Sequence, residues 1–263
     1  MNDLVLRETT GPVAILTLNR TQRHNSLVPV FLEELLDEIT AVAHTPSARA
    51  LIIQANGRSF STGGDALGFV EHEHMIADYT LDVIGLLNRA ILALLDLPIP
   101  VITAVQGIVT GGSIGLVLAA DVVLVTPEAS FTPYYSVVGP SPDGGWTALL
   151  PQMIGRQRAS EVLFANATID AATAVTWGLA NRLVPADQLR ATALAIALDI
   201  AAKKQGSIRR TKHLLNCDRD DIARRLEAER QQFVQEVVYG EAMEGFRAFV
   251  EELRRKRNVV SES

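Results

Sequence analysis

From Leu4 to Thr126 the chain keeps returning to one pattern, a short β-rich run followed by a longer segment with helical spacing. That alternation constrains it to a layered α/β architecture of stacked strand and helix turns. "LVLRE" and "VAILTLN" flank the turn cluster "TTGP" and predict a hairpin. In "VPVFLEELLDEITAVAH", Phe31, Leu35, Leu36, Ile39 and Val42 fall on one helical face, with Glu33, Glu34, Asp37 and Glu38 on the other. "ALIIQA" reads as a buried strand. After the glycine-rich "SFSTGGD" a polar stretch is expected to about Asp78, then a helix from Leu81 to Leu95 and the strand "VITAV". A second glycine-rich turn, "QGIVTGGS", leads into an apolar helix, "IGLVLAA", and the strand "DVVLVT" follows. From Thr147 the chain is mostly helical, through "TALLPQMIG", "RASEVLFAN", "DAATAVTWG", "ADQLRATALAIALDIAAKK" and a charged stretch from Asp218 to Arg257. No strict repeat or low-complexity linker divides it.

With 263 residues, 48% hydrophobic residues and a formal net charge of -6, the chain reads as globular, with no bulk attraction to nucleic acid or to an anionic membrane. Its apolar windows, "LLNRAILALLDLPIPVITAV" and "GGSIGLVLAADVVLV", are interrupted by charged residues and proline, so they are expected in a core and not in a bilayer. "MNDLVLRETTG" has neither a basic start nor an apolar run, and a cytoplasmic location is expected. The single Cys217 excludes an internal disulfide and a cysteine-cluster metal site.

Two loops, "STGGD" at Ser61 to Asp65 and "VTGGS" at Val109 to Ser113, each follow a strand, where glycine lets a ligand approach the backbone. The second opens a helix, so the Gly112 N–H is placed to donate to a developing oxyanion, with Gly64 as a second donor. The plainer alternative is that both are tight strand-to-helix turns. Neither matches the phosphate-binding patterns GxxxxGK[ST] or GxGxxG. Asp143, in "SPDGG", is either a turn or cap residue before a helix starting near Trp146, or an isolated acid–base group. "EHEH" at Glu71 to His74 lacks the further ligands of a metal site and reads as a solvated segment near a pocket mouth. The basic clusters "RRTKH" and "RRKR" read as solvated helix ends.

The stretches "VAILTLNRTQRHNSL", "ALIIQANGRSFSTGGD", "PIPVITAVQGIVTGGSIGLVLAADVVLVTPEASF", "GPSPDGGWTALLPQMIGRQRASEVLFAN", "DAATAVTWGLANRLVP" and "EGFRAFVEE" occur in the order and spacing of the crotonase, or enoyl-CoA hydratase/isomerase, superfamily, which the chain resembles over nearly its whole length. The resemblance implies a crotonase-like spiral of ββα turns over residues 1–200 and a C-terminal helical trimerisation region over 201–263, assembled as a homotrimer or a dimer of trimers. It implies an acyl-CoA substrate and no metal or redox cofactor, with the Gly64 and Gly112 N–H groups holding the thioester oxygen. Hydratases of the superfamily carry two glutamates where this chain has Gly115 and Tyr135, so ordinary hydration is not expected. Isomerase branches, the phenylacetate-pathway epoxyphenylacetyl-CoA isomerase among them, carry an acid at the position of Asp143. That resemblance implies a β,γ to α,β double-bond shift with Asp143 as the single proton shuttle. Candidates for the acyl pocket are Tyr134, Tyr135 and Trp146. For coenzyme A they are Arg23, Asn25, Ser26, Ser61, Thr62 and Asp65. A hydratase-like or dehalogenase-like enzyme, and a homologue that binds acyl-CoA or a partner without turnover, are the alternatives.

Overall fold

The structure, a computed structural model, describes residues 3–261. The hairpin forms as expected: β1 (Val5–Thr10) pairs antiparallel with β2 (Val13–Leu18) across Gly11 and Pro12. Gly11 supplies a φ of 58° that a branched side chain would resist, and Pro12 fixes the next φ negative, the sequence a two-residue hairpin turn needs. After α1 (Pro29–Ala43), β3 (Ala50–Ala55) pairs parallel with β2. A short helix, α2 (Ala66–Glu71), and α3 (Ile76–Asp96) lead to β4 (Val101–Val105), which is parallel to β3. All residues of β3 and β4 are buried, as parallel strands covered on both faces require.

Next come β5 (Ile108–Thr110), a 3-10 turn over Gly111–Ile114 and α4 (Gly115–Leu118), followed by β6 (Val122–Val125) and β7 (Ser130–Thr132). The chain continues through α5 (Tyr135–Val138), α6 (Leu150–Ile154), α7 (Arg156–Ala165), β8 (Ile169–Asp170), α8 (Ala171–Trp177) and β9 (Arg182–Leu183). It closes with α9 (Leu189–Ala201), α10 (Gln205–Leu215), α11 (Arg219–Tyr239) and α12 (Ala242–Ser261). Two sheets result among the described residues, one ordered β1-β2-β3-β4-β6-β9 and a smaller one ordered β5-β7-β8.

The period of two along a strand sends alternate side chains to opposite faces. Leu51 and Ile53 enter the main core beneath α1 and α3, whereas Ala50 and Ile52 meet Leu189, Ala193 and Ala197 of α9 on the other side. Four-residue spacing of small residues in α9 lets that helix lie close on the sheet. On the opposite side α11 packs on α3, where Asn88 Nδ2 donates to the Leu226 carbonyl at 3.0 Å. Then α12 folds back onto α2 and α5: Phe246 stacks on Phe69 with centroids 4.7 Å apart, and a Cβ at Gly245 would overlap the Val138 carbonyl.

Three expectations need correction. The polar stretch before Asp78 contains α2 and the first turn of α3, because its apolar residues, Phe69 among them, close over the core. "IGLVLAA" gives a 3-10 turn and a four-residue helix, not a full helix, because Asp121 is already drawn into the next strand: its carboxylate accepts the Val101 N–H at 2.7 Å. The helix expected near Trp146 starts at Leu150, since Gly144 and Gly145 (φ 64° and 91°) hold the preceding segment in a turn.

Candidate active site

The two glycine loops lie side by side because their strands do. Ser61 pairs with Val109 in an isolated parallel bridge, and the Thr110 N–H donates to the Ser61 carbonyl at 3.1 Å. The contact is backbone against backbone: Gly63 has a φ of 72°, and a Cβ there would overlap the Thr110 carbonyl. Leu27 bridges Gly64, but the bonds run from the Leu27 N–H to the Gly63 carbonyl and from the Asp65 N–H to the Leu27 carbonyl. In a parallel ladder that pattern turns the Gly64 N–H to the opposite edge. Gly112 sits in the first turn of the 3-10 segment, where N–H groups lack partners from the preceding turn. Both Gly64 and Gly112 line a cavity of about 710 Å³.

Asp143 reaches the same cavity and is 7% exposed. Its turn is pressed onto the second glycine loop. A Cβ at Gly144 would overlap the Gly112 carbonyl, and the Trp146 Nε1–H donates to the Gly111 carbonyl at 2.8 Å. The carboxylate lies against the Gly112 backbone, its Oδ2 2.5 Å from where a Gly112 Cβ would stand. Oδ1 accepts the Tyr135 hydroxyl at 2.5 Å, so Oδ2 is the oxygen left for a substrate. Burial pushes the Asp143 carboxyl up to about 7; the Tyr135 bond opposes that rise and the Glu229 carboxylate adds to it. Tyr135 in turn is driven well above the usual phenol range by burial and by the Asp143 charge. It donates its proton to the bond and keeps it.

Glu229, on α11, was hidden in the sequence within a charged stretch. It is 5% exposed, and its carboxylate accepts from the Gly145, Thr147 and Ala148 N–H groups and the Thr147 hydroxyl. The signal was available: Ile222, Leu226, Phe233 and Val237 are the buried stripe of α11, and Glu229 falls in it. Leu87 of α3 and Phe233, Phe246 and Phe249 of the last two helices supply further apolar wall.

Gly115 is as informative as Asp143. A Cβ there would overlap Ile91 Cδ1 and stand 2.7 Å from the Gly144 carbonyl. The position is closed by packing, so no longer side chain fits without displacing α3 or the Asp143 turn.

Arg23, Ser26, Thr62 and Asp65 line the cavity, as do Tyr134 and Tyr135. Asp65 is held by Arg20, Arg23 and Ser26 at 2.9 to 3.1 Å; burial works to raise its carboxyl, but those bonds and the Arg23 charge hold it below the usual range. It is a structural clamp at the rim and has no spare charge for chemistry. Three candidates fall outside the lining. Asn25 is fully buried and donates to the Asn56, Ser59 and Phe60 carbonyls, Ser61 is fully buried with its hydroxyl on the Asn25 carbonyl, and Trp146 is fully buried under the Asp143 turn. Their side chains pack behind the cavity lining. His72 of "EHEH" stacks on Tyr79, and no group of three or more His, Cys, Asp or Glu is placed to hold a metal among the described residues. Of the basic cluster "RRKR", Arg254 lines the cavity, while the side chains of Lys256 and Arg257 lie outside the described residues. No helix among the described residues is long and apolar enough to cross a membrane.

Residues 8–258 match the profile of a family described as enoyl-CoA hydratase/isomerase. The crotonyl-CoA hydratase of Syntrophomonas wolfei is 30% identical over 260 residues, covering 98% of this chain and 98% of its own length. The 1,2-epoxyphenylacetyl-CoA isomerase of Escherichia coli is 30% identical over 217 residues, 82% of this chain and 83% of its own. Among solved structures, a monofunctional enoyl-CoA isomerase from M. smegmatis superposes with a TM-score of 0.70 at 32% identity, over 83% of this chain and 95% of that one.

Proposed function

Because the chain belongs to the enoyl-CoA hydratase/isomerase family, we propose that it is an acyl-CoA isomerase that moves a double bond from the β,γ to the α,β position. One observation carries this choice over hydration. The cavity holds Asp143 as its carboxylate without a cationic partner, while the first glutamate position of hydratases is a glycine with no room for a side chain and the second is Tyr135. Adding water across a double bond needs groups that activate the water and deliver a proton, and a glycine and a high-pKa phenol, which cannot serve as a base at neutral pH, are a poor replacement for two carboxylates. Shifting a double bond needs one base used twice.

In this reading Asp143 Oδ2 takes a proton from C2 of the thioester, and the electron pair moves into the carbonyl to give an enolate. The Gly64 and Gly112 N–H groups hold the enolate oxygen, each worth about 3 kcal/mol in a dry, pre-aimed site. The enolate then takes the same proton back at C4 as the double bond reaches C2 and C3. Nothing is added or lost. A carboxyl with a pKa near 7 is matched to that task, because it is basic enough to accept the proton and acidic enough to return it. The apolar side chains that raise it also exclude water from the enolate. The proposal includes assembly as a homotrimer or dimer of trimers in the cytoplasm.

The test is a β,γ-unsaturated acyl-CoA panel, including a cyclic member, in deuterated water, with C2 and C4 followed by NMR. Double-bond migration is expected, with deuterium entering only as far as the carboxyl proton exchanges with solvent before it is returned, and D143N is expected to lose turnover by about 1,000-fold or more while retaining thioester affinity within about threefold. A 3-hydroxyacyl-CoA product formed from the α,β-unsaturated thioester as fast as the isomer would overturn this reading in favour of hydration.

A further inference from the structure

Glu229 stands on the sequence-distant α11, and the hydrogen bonds it accepts come from the residues that follow Asp143. Oε1 takes the Thr147 N–H at 2.8 Å, the Thr147 hydroxyl at 2.6 Å and the Ala148 N–H at 2.9 Å, and Oε2 takes the Gly145 N–H at 2.8 Å. All four donors are neutral, so the carboxylate organises the turn without having its charge cancelled. A full charge buried among apolar neighbours is costly where a neutral side chain could cap the same turn.

We propose that Glu229 is a positioning residue for the isomerisation: it locks the 143–148 turn against the Gly111–Gly112 loop and imposes a negative field on Asp143 that strengthens it as a base. This rests on the proton-shuttle reading of Asp143. Two titratable groups face Asp143, Tyr135 from α5 and Glu229 from α11, while α3 presents Leu87 there. The remaining charged or titratable groups lining the cavity are Asp65 with Arg23, and His24, Arg58 and Arg254. Tyr135 favours the ionised Asp143 by donating to it, whereas Glu229 disfavours it by repulsion. Burial pushes Glu229 itself up, but its four bonds favour the ionised form. Removing its charge therefore lowers the Asp143 pKa, and the acidic limb of the pH–rate profile moves to lower pH.

The experiment compares wild type, E229Q, E229D and D143N by pH–rate profile, KM and thermal melting on the isomerisation. E229Q is expected to shift the acidic limb down by about 0.5 to 1 pH unit and to reduce the plateau kcat about tenfold, with KM within about twofold. E229D keeps the charge but sits one methylene short of its donors, so its limb is expected to stay in place while kcat falls. A folded E229Q with an unmoved limb, or an E229D with wild-type kcat, overturns the proposal. A residue that only supported the fold would lower the melting temperature and leave the limb alone. If E229Q does not fold, E229D decides: lowered kcat with an unmoved limb and unchanged KM supports the positioning role, and wild-type kcat refutes it. If D143N itself isomerises at the wild-type rate, it is the proton-shuttle reading that fails, a result distinguishable from failure of the Glu229 inference.

Discussion

In the proposed isomerisation the base is the carboxylate that Tyr135 donates to, so that bond, together with burial, bears on the pH at which the base is charged. Asp143 must be ionised to take a proton, so the rate rises with pH through a value near 7. The Tyr135 bond lowers that value, and its loss raises it. Y135F is therefore expected to move the acidic limb of the profile up by about one pH unit, since a hydrogen bond to a charged group is worth about 1.5 to 3 kcal/mol. A pH–rate titration checks it, and a downward shift would mean that the phenol does not donate to the ionised carboxylate. Residue types could be assigned from the sequence, but their directions could not. Asn25, Ser61 and Trp146 sit within a few residues of cavity-lining neighbours and fall outside the lining, each donating instead to a backbone carbonyl.

At the scale of elements, segments with a local apolar or periodic pattern were readable and those without one were not. The hairpin, α1, β3, β4 and β6 follow from local pattern, because a six-residue apolar run or a four-turn amphipathic helix carries its own signal. The strands of the smaller sheet are two or three residues long and exist only through their neighbours' pairing. Long-range polar ties were equally silent. Lys212 of α10 lay in a cluster expected to be solvated. It is 4% exposed, with its ammonium on the Leu94 and Ile99 carbonyls and on Asp121. It joins the end of α3, the approach to β4 and the approach to β6. Desolvation works to lower its pKa and the Asp121 carboxylate opposes this, so the pair favours the charged form. K212M is expected to cost about 3 kcal/mol, since it leaves Asp121 and two carbonyls short of a donor. A melting curve should show a fall of about 5 to 10 °C with the pH–rate profile unchanged.

For the whole molecule, the last helix contributes to the cavity: Phe246, Phe249 and Val250 of α12 line it, and α12 is seated against α5 where Gly245 meets the Val138 carbonyl. G245V is expected to lift α12 and raise KM about tenfold, because overpacking at such a contact costs about 1 to 3 kcal/mol. Steady-state kinetics tests this, and a fall in kcat at unchanged KM would show that α12 acts on the chemistry and not on binding. A larger consequence follows from Gly115. Ile91 on one side and the Gly144 carbonyl on the other already fill the space that an acid would take, so a mutation to glutamate is penalised even if residue 91 is shortened, and shortening residue 91 alone leaves a hole in the core. On the proposed isomerase reading, a change toward the two-glutamate pattern meets this packing at residue 115 before residue 135 has been altered at all, so the first step in that direction carries a structural cost with no chemistry in return.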